Sequence, residues 1–351
     1  MKKLNSVPGI TLVILLTITV LWIFFAASGF FDKDMYEHKA HTYKTSDSPI
    51  SCNNLKSDQQ SHITKQDLQE HSTPVRHIDK PSTHQATEDA CKAAPKSSPK
   101  VVVKGVAFVS AAITPLEYEL KERFWGWRPN DIINVTDNVN NFQLGILETT
   151  RRTVVILTER ISRTGSSAAF NVHLEHAMNW FMIKADKYWF PSPESKYRAG
   201  LKELKSYRDE LEKHRAFFYT RADNLLPLLM TYEDLLGSCD ENLIKTKEED
   251  GTQVSFFQAD DYFFYAKGVA SAMVIMLEAI EKDFHGVIES RNGLEVLHHA
   301  HMMCETASNI SPWIIINGDM DGILANHRAN IAASISHARF YIGVLIKILS
   351  T

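Results

Sequence analysis

The chain has 351 residues, of which 44% are apolar and 23% charged, with a formal net charge of -4 at neutral pH. That balance suits a globular body and supplies no overall basic field, which argues against nucleic acid as a partner. Four cysteines, Cys52, Cys91, Cys239 and Cys304, are too few for a disulfide scaffold in a chain this long.

The first nine residues carry Lys2 and Lys3 and are expected to stay cytoplasmic. From Ile10 to Phe31 no side chain is charged. As one helix this run would span roughly 33 Å, enough for a hydrocarbon core of roughly 30 Å. It predicts a single transmembrane signal anchor that sits in the lipid bilayer and leaves the carboxyl-terminal part periplasmic. A cleaved signal peptide is the alternative, because Ala26, Ala27 and Ser28 supply small residues near its end. The run exceeds the roughly 7 to 15 residues of an ordinary signal core, which favours the anchor.

From Asp32 to Lys100 the composition turns to Ser, Thr, His, Gln, Lys and Asp, with prolines at 49, 74, 81, 95 and 99. Such a segment cannot bury enough apolar surface to offset its ordering entropy, and it reads as a disordered tether. Its histidines, at 38, 41, 62, 71, 77 and 84, are irregularly spaced and fit solvated filler better than a metal site.

Residues 101–351 form the expected folded body. The Val- and Ala-rich stretch from Val101 to Thr114 suggests a strand or extended entry, and Pro115 a helix start that runs to Phe124 before WGWRPND breaks it. A long helix follows from Thr136 or Asp137 to Gly165, with Val139, Phe142, Ile146, Val154, Leu157 and Ile161 in one stripe. Further helices are expected over 170–190, 195–218, 223–236, 262–277, 292–308 and 322–349. A charged loop is expected over 237–251. The 262–277 stretch, whose single charge is Lys267, is too short to cross a bilayer and suits a helix buried on nearly all sides, closed off by Asp260 and Asp261. The class is all-α, a multi-helix bundle behind the single anchor and its tether.

WGWRPNDI at 125–132, DDYFFYAKG at 260–268 and NHRANIAASISHARFYIGVLI at 326–346 resemble a bacterial family known only as domain of unknown function 2333. The likeness covers about Val106 to Thr351 and omits the tether. It implies a single-anchor protein of the bacterial inner membrane and brings no activity, cofactor or catalytic residue.

Three constellations invite chemistry. Asn317 to Gly322 imitates the first half of a calcium loop, but Ala325 and Arg328 stand where later ligands are needed, and a helix-capping turn explains the same residues. Glu295, His298, His301, Cys304 and Glu305 recur at three and four residues and share a helix face that could ligate a metal. A solvated histidine face is the structural alternative. Asn326, Asn330, Ser334 and His337 line one side of the last helix and could form a polar groove with Trp125, Trp127 and Arg128 at its mouth, able to receive a peptide or glycan. Alternatively they pair with one another and fix helix register. No G-x-S-x-G, P-loop or G-x-G-x-x-G occurs.

Two functions follow as expectations. One is a non-enzymatic envelope interaction or scaffold module that holds a protein partner, with no cofactor expected. The other is a metal-dependent envelope enzyme built on His298, His301 and Glu305.

Overall fold

A computed structural model describes residues 103–131, 137–165, 167–187, 192–311 and 327–351, together with Thr17 and Thr19. The expected anchor, the tether, the calcium-like loop at 317–322 and Asn326 lie outside the described residues, apart from those two threonines.

Eight α-helices are described: α1 Val106–Lys121, α2 Asp137–Ile156, α3 Val172–Phe181, α4 Pro193–Glu212, α5 Ala222–Ile244, α6 Phe256–Glu289, α7 Leu294–Asn309 and α8 His327–Ser350. A π turn at Leu157–Ile161 extends α2. Among the described residues the only β pairing is a bridge between Lys247 and Gln253. The body is all-α, as expected.

The entry stretch is not extended. Pro115 sits inside α1, and Phe108, Val109, Ala111, Ala112, Ile113 and Leu116 are buried. Burial on almost every side outweighs both the β-branched residues and the missing proline amide. No side chain of its own caps this helix; instead the buried Asp283 of α6 accepts the Phe108 N–H at 2.8 Å. Burial pushes the Asp283 carboxyl up, against the pull of the amides it receives.

The stripe expected on α2 is correct: all six of its apolar residues are buried. The helix over 170–190 is shorter than expected. Asn171 caps the start of α3 through the amides of His173 and Leu174, and Arg151 closes its end by donating to the Phe181 and Ile183 carbonyls at 2.6 Å each. A guanidinium from another helix does what a glycine does elsewhere. The expected loop at 237 is also corrected, since Gly237 lies within α5. Its bare Cα faces Arg339, where a Cβ would come within 3.2 Å of the guanidinium.

Helix α6 organises the bundle, packing against α1, α2, α5, α7 and α8. It runs well beyond the expected 262–277 in both directions, and its cap is Ser255, in a reciprocal capping box with Gln258, instead of Asp260 or Asp261. Those aspartates fall inside the helix, and Asp261 accepts from Asn141 of α2 at 2.7 Å. Two described helices, α6 and α8, are long and apolar enough to cross a membrane, and the most apolar window of α6 is 67% buried within the bundle. That burial matches the expected core helix.

The α2–α6 crossing is a backbone contact. A Cβ on Gly268 would lie 2.0 Å from the Phe142 carbonyl oxygen, and one on Gly145 would lie 2.2 Å from the Tyr265 oxygen. Only hydrogen fits at either point.

Candidate functional site at the 122–131 turn

The chain leaves α1 through a turn built on buried polar groups. Glu119 receives Arg123 through both carboxylate oxygens, one of them at 2.9 Å, and also Gln143 of α2 at 3.0 Å. The same Gln143 carboxamide donates to the Gly126 carbonyl at 2.9 Å and accepts the Arg128 N–H at 2.9 Å. Glu119, Gln143, Arg123 and Arg128 are all buried; the network stands in place of water for the Glu119–Arg123 ion pair, and Arg128 joins it through its backbone N–H.

The turn itself is strained. Trp125 and Gly126 take successive left-handed conformations, with φ of 68° and 67°. For tryptophan this costs roughly 1 to 3 kcal/mol, which the surrounding bonds must offset. Arg128 donates to the Phe124 carbonyl at 3.0 Å and lies 5.2 Å from the Trp125 ring centroid. Trp125 stacks on Phe124 at 5.3 Å, and both rings remain exposed. Trp127 does the opposite: it is buried, meets Tyr197 edge-on at 5.2 Å and donates to the Ala185 carbonyl at 3.4 Å. Burial pushes the Tyr197 phenol up to about 12, and its hydroxyl donates to the Ile183 carbonyl at 2.6 Å.

Beyond Trp127 opens a cleft of about 420 Å³ lined by Pro129, Asp131, Asn140, Asn141, Leu144, Ala185, Asp186 and Asp261. Three carboxylates and two carboxamides face it, and among the described residues its lining contains no lysine or arginine. Burial pushes the Asp131 carboxyl up while nearby Arg128 draws it down. Chemically the cleft offers acceptors and negative charge, the complement of an ammonium or guanidinium head.

The described residues of the expected groove fall on two separate elements. The turn holds Trp125, Trp127 and Arg128, and among the described residues the cleft beside it has no lining residue from α8. Helix α8 packs instead on α5, α6 and α7. There Asn330 and His337 are exposed, while Ser334 is buried and donates to the Asn330 carbonyl at 3.5 Å. The missed residues are Asp131, Asn140, Asn141, Asp186 and Asp261. Asp131 carried a sequence cue as the last residue of WGWRPND, and Asp261 as the second of DDYFFYAKG, where it is expected to close off a helix.

The expected metal face also fails to converge. Glu295 and His298 are exposed, His301 and Glu305 are half-buried, and Cys304 is fully buried. The His298 and His301 rings stand 6.4 Å apart, and Glu295 approaches His299 at 3.9 Å instead of His298. Burial pushes the Cys304 and Cys239 thiols up to about 12 each, and both are free. Among the described residues no three His, Cys, Asp or Glu side chains gather to hold a metal ion. Arg328, which spoiled the calcium pattern, is buried and donates to the Asn242 and Lys245 carbonyls at the end of α5, at 2.9 and 2.8 Å.

Compared with known proteins, residues 75–250 and 239–351 match the family described as an uncharacterized protein conserved in bacteria, DUF2333. The match begins inside the stretch read as a tether, earlier than the likeness seen in the sequence motifs. Neither the curated proteins nor the solved structures yield a match.

Proposed function

The chain belongs to the DUF2333 family, and from that premise we propose that it is a single-pass inner-membrane protein whose helical body is a non-enzymatic docking module on the periplasmic side. The observation that carries this reading is the cleft beside the 122–131 turn. Asp131, Asp186 and Asp261 give it negative charge, and Asn140 and Asn141 give it further acceptors. Its occupant is a basic segment of a protein partner, with a lysine or arginine head in the cleft. The exposed Phe124 and Trp125 pair, carried by the same turn, supplies apolar surface for the residues next to that head.

The uncharged run from Ile10 to Phe31 supports the anchor, and Lys2 and Lys3 before it support the orientation. A flexible stretch of about 70 residues after it would have a mean reach of roughly 45 Å, which suits capture of a partner near the membrane more than rigid positioning.

A photo-cross-linker installed at position 187, exposed beside Asp186, in the full chain in living cells tests the reading. A discrete protein adduct is expected, and its yield falls when Asp131→Asn and Asp186→Asn are combined. Absence of any protein adduct, or an adduct indifferent to those two changes, would overturn it.

A further inference from the structure

The far end of α2 carries a second pocket of opposite character. The π turn widens the helix by one residue, so that Ser162 N–H reaches back to the Leu157 carbonyl at 3.0 Å, and the helix stops there. Tyr219 N–H then donates to the Ile161 carbonyl at 2.9 Å, which draws the α4–α5 connection alongside. These two segments, distant in sequence, enclose a pocket of about 260 Å³ whose walls bring together Arg160, Arg163 and Arg221, with Tyr219, Glu159 and Asp223 beside them.

We infer that this pocket binds a small oxyanion of the phosphate-monoester class. Three guanidinium groups face two carboxylates. Asp223 is already engaged by Arg221 at 2.5 Å, in a pair that is exposed and leaves other donors of the fork for a ligand. Arg163 lies 4.3 Å from the Phe170 ring centroid, which holds its planar, always-charged head at the pocket wall. The carbonyls of Leu157, Arg160 and Ile161, which would repel an anion, accept from Ser162, Arg163 and Tyr219. Finally, Arg221 occupies the N-cap of the 23-residue α5, with Asp223 in the first turn of that helix, so the Arg221–Asp223 pair is fixed at the pocket wall. The inference does not depend on the acidic cleft, which lies at the other end of α2.

The phosphate could be free or carried on a lipid headgroup, and one experiment separates the sources. The full chain in nanodiscs is titrated calorimetrically with inorganic phosphate, then with short-chain phosphatidic acid, with phosphatidylcholine of the same chain length as control. Saturable binding of inorganic phosphate, phosphatidic acid or both is expected, weakened roughly tenfold by Arg160→Gln and largely retained in Arg160→Lys. Binding of phosphatidic acid alone assigns the site to a lipid headgroup, and binding of both assigns it to the phosphate itself. Arg160 is exposed, so its replacement leaves the fold intact. Heat that never saturates, binding shared equally by phosphatidylcholine, or binding unchanged in both Arg160→Gln and Arg221→Gln overturns the assignment.

Discussion

The two sides of α2 are held by opposite means. Toward α6 it presents Gly145 against the Tyr265 carbonyl and its own Phe142 carbonyl against Gly268, a contact made possible by missing side chains. Toward the 122–131 turn it presents Gln143, whose single carboxamide joins Glu119, Gly126 and Arg128. The first side tolerates no added atom, and the second tolerates no removed partner. A helix so fixed on both sides keeps Asn140 and Asn141 at a set distance from Asp131, which is what a preformed cleft requires.

The sharpest way to break this comparison is a single methyl at the crossing. Gly268→Ala puts a Cβ against the Phe142 backbone oxygen, which has no rotamer by which to yield, so α2 and α6 must separate. A loss of about 4 kcal/mol or more is expected in chemical denaturation, at the exceptional end for one substitution. On the polar side, Glu119→Leu leaves Arg123 buried without its carboxylate and should cost about 3 kcal/mol. Recovery of Gly268→Ala to wild-type stability, with Glu119→Leu the worse of the two, would reverse the ranking of the two sides.

Much of the first side was legible in sequence and little of the second. Val139, Phe142, Ile146, Val154, Leu157 and Ile161 recur at helical spacing because a buried stripe must do so. Gly145 and Gly268 gave no comparable sign, since a glycine inside a helix is uninformative until the opposing backbone is known. Helix α1 was misread because its burial is nearly all-round, which erases the period that identifies a helix and leaves only β-branched residues and Pro115 to judge by. The cleft was illegible for another reason. Asp131, Asn140, Asp186 and Asp261 come from four separate stretches, and no spacing rule connects them. The expected groove along α8 meets the same obstacle, since polar residues on one helix do not reveal which neighbour they meet.

A smaller effect probes the last turn of α2, before the π turn. The Thr153 hydroxyl pairs with the Tyr232 hydroxyl at 2.7 Å, in full burial. Thr153→Val strands the phenol and should cost about 1 to 3 kcal/mol in denaturation, most of it recovered when Tyr232→Phe is added. If the double variant is no more stable than the single one, the pair is not a closed unit.

The least effect concerns pH and lies outside α2. Burial holds the His301 imidazole below its ordinary value of 6.5, with Glu305 and Glu278 pulling the other way. The unfolded chain therefore binds this proton more readily than the folded one. Stability is complete above 6.5 and declines as pH falls below it. Denaturation midpoints measured on either side of that value should show the decline, and His301→Gln should flatten it.

The claim that the cleft beside the 122–131 turn takes a cationic segment is tested most directly by calorimetric titration of the full chain with a lysine-rich peptide at several salt concentrations. Saturable binding is expected, weakening with salt and dropping roughly tenfold in Asp186→Asn. Binding of equal strength in wild type and Asp186→Asn, or none at the lowest salt, would contradict it.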